Sequence, residues 1–132
     1  MMGGIPSTEA RAVWPIVAPI LARAIARTNG RFTLAAALEL IEEHKMQLWL
    51  GGNDALESVG ITEVVSYPGA RACRIVFAAG RMEPILATGP LLDGWARENG
   101  CTSIEIEGRP GWERVAPGEY VREAVLLRRM LT

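Results

Sequence analysis

The sequence predicts an α+β fold, with helices packed on a mostly antiparallel twisted sheet of about five strands. Three observations carry this expectation. Apolar residues recur at three- and four-residue steps through residues 7–29 and 34–44, the period of amphipathic helices. From residue 46 to 80 the period changes to two, in three runs joined by short Gly/Pro-rich segments. A helical period then returns once, at residues 84–99, between two strand-like runs.

The elements follow in chain order. Val13, Ile16, Val17, Ile20, Leu21, Ala24 and Ile25 form one stripe of the first helix. Pro15 and Pro19 within it each remove a backbone donor, which predicts a short first turn, a break and then the main helix. Asn29-Gly30 is the expected C-cap. Thr33 caps a second helix over residues 34–44, with Leu34, Leu38 and Ile41 inward. His44 and Lys45 fall at its end, where positive charge suits the helix dipole. MQLWLGG reads as a strand, GGND as a tight turn, ALESVGITEVVSY as a long second strand and RACRIVFAA as a third after Tyr67-Pro68-Gly69. Turns this short join antiparallel neighbours only. Thr88-Gly89-Pro90 kinks the next helix or marks its true start. Gly100 caps that helix, and CTSIEIE follows as a strand that a right-handed crossover places parallel to the third. Residues 109–116 make at most a short helix, and EYVREAVLLRRML reads as a last strand. The order is helix, helix, three strands, helix, strand, short helix, strand.

The 132 residues fit one domain spanning 1–132 with one core. Fourteen basic side chains stand against fifteen acidic ones, so the basic excess of a charge-driven nucleic-acid protein is missing. Cys73 and Cys101 sit in or beside apolar strand-like runs and read as buried thiols in a reducing compartment. One histidine and no paired cysteine spacing leave no metal set. The N-terminal MMGGIPSTEAR lacks the pattern of a signal peptide. Pro15, Pro19 and charges interrupt the best candidate for a bilayer span. These readings predict a cytoplasmic protein, or one packaged in a particle made there.

Few residues suggest chemistry on their own. Glu63 shares its strand parity with Val59, Ile61 and Val65. It is either a carboxylate made basic by burial, able to take a proton from an amine, or one half of a cross-strand pair with Arg71 or Arg74. Glu105 and Glu107 alternate with Ile104 and Ile106 and read as a wet strand face. In EGRPGWERVAPGEY, Trp112 is fenced by glycines and prolines and predicted to plug the end of the core. Arg109 beside it is either a surface charge or a docking contact for an anion or partner. Arg122, Arg128 and Arg129, interleaved with apolar residues, read as an edge strand that resists aggregation.

This element order, with LLDGWARENGCTSIEIEGRPGW and the segment around Tyr120, resembles the GNAT fold of acyl-CoA-dependent N-acyltransferases over nearly the whole chain. The text RFTL, MQLWL, ITEVVSYPGARACRIVFAAGR and GRPGWERV is also similar to small GNAT-like proteins of tailed phages and prophages. The first resemblance implies an acyl-CoA loop of the form R/Q-x-x-G-x-G/A after the third meander strand, where successive amides and a helix N-terminus converge on a diphosphate. AAGRMEPILATGP stands there instead. Ala78, Gly80 and Arg81 are its candidate cofactor contacts, while Glu83 adds negative charge and Pro84 lacks an N–H. Where many such enzymes carry a tyrosine acid, this chain has Trp112, and Tyr120 comes later, at a position of packing.

Two expectations follow. The first is a phage-type GNAT-like protein with a degenerate loop and no cofactor, non-catalytic, acting in virion structure or assembly through protein partners or self-association. The alternative is an active N-acetyltransferase using acetyl-CoA on an amine of a small molecule or protein, with Glu63 as base.

Overall fold

The computed structural model describes residues 2–107, 112–115 and 118–131. Strand β1 (Met2–Ile5) and a single 3₁₀ turn lead into helix α1 (Ala10–Ala26) and helix α2 (Leu34–Glu42). Strands β2 (Gln47–Gly51), β3 (Ser58–Ser66) and β4 (Arg71–Gly80) follow, then helices α3 (Met82–Ala87) and α4 (Gly89–Glu98), strand β5 (Ser103–Ile106) and the turn-length helix α5 (Trp112–Val115). The five strands lie in the order β1-β2-β3-β4-β5. All neighbours are antiparallel except β4 and β5, which the α3–α4 crossover makes parallel.

Strand alternation divides the apolar side chains between two cores. Leu48, Val59, Ile61 and Phe77 pack with Val17, Leu21 and Ile25 of α1 and Ala37, Leu38 and Ile41 of α2. The intervening Trp49 and Cys73 point the other way, against Leu92 and Ala96 of α4 and Cys101. Edge-to-face ring pairs anchor both sides, Phe32 on Phe77 and Trp49 on Trp95. The buried indole N–H of Trp49 donates to Thr62 Oγ1 at 3.0 Å, so the second core carries its polar group at little cost.

Several sequence expectations are corrected. Helix α1 runs unbroken through Pro15 and Pro19. Both prolines face solvent, so water can take the carbonyls of Arg11 and Pro15 that they leave unpaired, while Val17, Leu21 and Ile25 hold the opposite face in the core. Residues 52–57 form a six-residue loop and not a tight turn. Gly52 adopts φ 150°, and a Cβ there would overlap Ala55 O. Among the described residues no strand lies in 121–131. The fifth strand is instead β1, whose Met-Gly-Gly-Ile gives no alternation to read. Other signals hold: Thr33 Oγ1 accepts from Ala36 N–H at 3.0 Å, Gly100 ends α4 at φ 78°, and Tyr67 N–H closes its turn on Ala70 O.

Candidate functional site

Parallel pairing of β4 with β5 covers only Ala72 to Ile75 against Ser103 to Ile106. Strand β4 then continues to Gly80 without a β5 partner. The parting coincides with a bulge: Ile61 lies opposite Phe77 and Thr62 opposite Ile75, so Val76 is an extra residue. A bulge bends its strand and increases local twist, which carries the end of β4 away from its neighbour.

Between β3 and β4 on one side and α3 and α4 on the other lies a cavity of about 70 Å³. Thr62, Ala78, Leu92, Trp112, Glu119 and Tyr120 are among its lining residues. Small-molecule pockets usually measure about 300–1,000 Å³, so the aromatic side chains leave little of one. Burial, followed by the charges of Asp93 and Glu119, raises the Tyr120 pKa, keeping the phenol protonated. Thr88, also in the lining, is buried and donates to Pro84 O at 2.7 Å.

The loop leaving β4 is tied down on all sides. Gly80 has φ 96°, and a Cβ there would overlap Glu57 O. The Arg81 N–H donates to that same carbonyl at 3.0 Å, and the buried Ser58 hydroxyl donates to Arg81 O. The Arg81 guanidinium lies between two carboxylates, Glu57 at 2.7 Å and Glu83 at 3.0 Å. An incoming diphosphate would meet one spent amide, a proline nitrogen and two negative charges. Besides these, the first turn of α3 presents the amides of Met82 and Glu83, a smaller set than a run of free amides and glycines would offer a diphosphate.

Glu63 lies outside this cavity. It stands across the ladder from Arg74, whose Nη1 is 3.7 Å from its Oε1. Arg74 also reaches Glu105 at 3.3 Å and donates to the Tyr67 hydroxyl, which donates to Glu105. Burial opposes the charge on Arg74, but Glu105, Tyr67 and Glu107 together outweigh it and raise its pKa. Arg71 is engaged elsewhere, with Ser66 and the carbonyl of Asn99. Of the two readings of Glu63, the geometry matches the cross-strand pair.

Of the sequence candidates, Ala78 and Trp112 line the cavity, while Gly80 and Arg81, where β4 passes into α3, are not among its lining residues. Arg109 lies outside the described residues. Sequence reasoning missed Thr62, Thr88 and Glu119. Strand parity offered a signal for Thr62, since it alternates with Ile61 and Glu63, but nothing local marked that face as an opening. A second, wider groove of about 500 Å³ runs between β1, β2 and α4 past Gln47, Trp49, Leu91 and Trp95. Its amide Gln47 already donates to Ile5 O and Leu48 O, which leaves a mostly apolar trough with the Glu98 carboxylate in its lining.

No protein-family model matches the chain, and no curated protein matches it by sequence. Solved structures do match in shape. An aminoglycoside acetyltransferase from an uncultured soil metagenomic sample superposes with TM-score 0.72 at 13% identity, over 100% of this chain and 97% of that one. A ribosomal-protein-alanine N-acetyltransferase from Brucella melitensis biovar Abortus 2308 gives 0.66 at 16% identity, over 100% and 97%. A Trypanosoma brucei acetyltransferase gives 0.63 at 9%, over 99% of each chain. Parted parallel strands beside a crossover helix, in a five-stranded mostly antiparallel sheet, therefore give this chain the GNAT acetyltransferase fold.

Proposed function

We propose that the chain is a GNAT-fold protein that does not turn over acyl-CoA and works by binding protein partners. The observation that carries this reading is the Arg81 loop: its amide is committed to Glu57 O, and its guanidinium is held by Glu57 and Glu83. Glycine and free amides are what a diphosphate needs at that place. The setting we propose for that binding is virion structure or assembly. Mass spectrometry of purified particles tests that setting.

Calorimetric titration of the purified chain with acetyl-CoA tests the central claim. No heat at millimolar ligand is expected, and saturable micromolar binding would overturn it.

One observation favours the second reading, an N-acetyltransferase acting on an amine. Residues 76–80 of β4 lack a β5 partner, and the protonated Tyr120 phenol lines the cavity together with Ile75, Phe77 and Ala78 of that strand. Under this reading Ala78, Gly80 and Arg81 would hold acetyl-CoA and Tyr120 would be placed as an acid. Glu63 would serve as base only when released from Arg74.

A further inference from the structure

The groove of about 500 Å³ between β1, β2 and α4 shares no lining residue with the cavity beside Tyr120. Two residues of α4 stand in it at a cost to the helix. Gly94 lies in the helix interior without a positive φ, and a Cβ on it would meet nothing within 4 Å. Glycine weakens a helix interior relative to alanine, and here neither a turn nor a close approach requires it. Glu98 is the last residue of α4, where the helix dipole disfavours negative charge. Among the described residues its carboxylate has no ion-pair partner, and it is the one charged residue lining the groove. Leu91, Gly94, Trp95 and Glu98 follow at steps of three and four, so they share one helix face. Across from them, Gly4 of β1 puts no side chain over Trp49, whose Cζ3 a Cβ there would meet at 3.7 Å. Trp49 holds Trp95 edge to face, with ring centroids 5.5 Å apart, and Trp95 stays only partly buried.

We propose that this groove receives an arginine side chain of a protein partner, stacked on Trp95 and forked on Glu98. A fixed indole beside an unpaired carboxylate, in an apolar trough kept open by glycines, matches each part of that side chain. The ring takes the guanidinium plane, the carboxylate takes its parallel N–H donors, and the apolar walls take its aliphatic stem. Other occupants fit less well. A lysine ammonium is a strongly hydrated point charge without a fork or a plane to stack. A wholly apolar side chain would strip water from Glu98 and leave the carboxylate unpaired. Recognition of this kind rests on the reading of the chain as a protein-binding one and names the chemistry of its partner. It uses none of the residues of the Arg81 loop.

Heteronuclear NMR of the full chain, titrated into the millimolar range with the blocked tripeptide acetyl-Gly-Arg-Gly-amide, tests it. The indole N–H signal of Trp95 is expected to shift saturably. Glu98→Gln keeps the shape of an exposed side chain and removes its charge. It is expected to weaken binding by about tenfold, the factor that a hydrogen bond to a charged group is worth. Gly94→Leu fills the trough and is expected to abolish the shift while raising the urea midpoint. No saturable shift at Trp95 overturns the site, as does a Glu98→Gln chain that binds equally well. Equal binding of the lysine or leucine tripeptide overturns the guanidinium assignment. A chain that light scattering finds as a dimer, and that the arginine tripeptide separates, overturns the external partner in favour of a second copy. Acetyl-CoA calorimetry is a separate outcome: heat from acetyl-CoA with the Trp95 shift retained would overturn the reading of the Arg81 loop alone.

Discussion

Gly80 shows how one residue can satisfy two different demands. A glycine after a strand in this fold suggests a phosphate loop, yet here its positive φ and its approach to Glu57 O serve the β3–β4 junction. Gly80→Ala must place a side chain in the left-handed region and against a carbonyl. It is expected to cost at least about 2 kcal/mol, read as a lower urea midpoint with unchanged slope. Tolerance within experimental error would mean that the junction is loose, and the loop argument would weaken with it. Cys73 makes a second prediction. Burial, then the neighbouring Cys101, pushes its thiol up to about 12 from an ordinary 9.0. Its neutral form is thus favoured by folding, so this contribution is complete below pH 9.0 and is lost as pH rises toward 12. The urea midpoint of the wild type should fall over that window more steeply than that of Cys73→Ala. Parallel slopes would remove the thiol from the account. The buried character of Cys73 was legible in RACRIVFAA. The tie from Arg81 to Glu57 was not, because a contact across 24 residues has no local pattern.

At the scale of elements, the sequence was most readable where a segment's own pattern decides its form, and least where a neighbour decides. Thr33, Gly100 and the Tyr67 turn act within a few residues, and their signals held. Strand β1 exists because β2 offers an edge to Met2–Ile5; Met-Gly-Gly-Ile alone has almost no strand propensity. The opposite error at 121–131 has the same cause, since strand propensity forms no strand without a ladder to join. Helix α1 tests the balance directly. Its prolines persist because the inward stripe outweighs two missing hydrogen bonds on the wet face. Proline costs about 3 kcal/mol relative to alanine inside a helix, partly offset by a stiffer unfolded chain. Pro19→Ala is therefore expected to raise stability by roughly 1–3 kcal/mol in urea titration. A loss of stability would mean that the turn at Pro19 is bent for a packing reason.

For the whole molecule, the decisive feature is that both cores share one sheet. Leu48 and Trp49 are adjacent in β2 yet belong to opposite faces, as do Cys73 and Phe77 in β4 across the bulge. Neither face can lose its helices without freeing strands that the other needs, and at 132 residues the chain is within the usual size of two-state folding. The same sharing fixes the site, because the bulge that seats Phe77 against α1 and α2 also parts β4 from β5 beneath α3 and α4. Leu21→Ala probes this coupling from the face remote from Trp49 and Trp95. Leu21 is fully buried, so its truncation should cost about 2–5 kcal/mol. Tryptophan fluorescence, which includes Trp49 and Trp95 of the α4 face, should shift to lower urea by the same amount as circular dichroism. If the fluorescence midpoint stayed at its wild-type value while the circular dichroism midpoint fell, the two faces would unfold independently. The bulge would then have no means of coupling the α1–α2 core to the cavity lined by Trp112 and Tyr120.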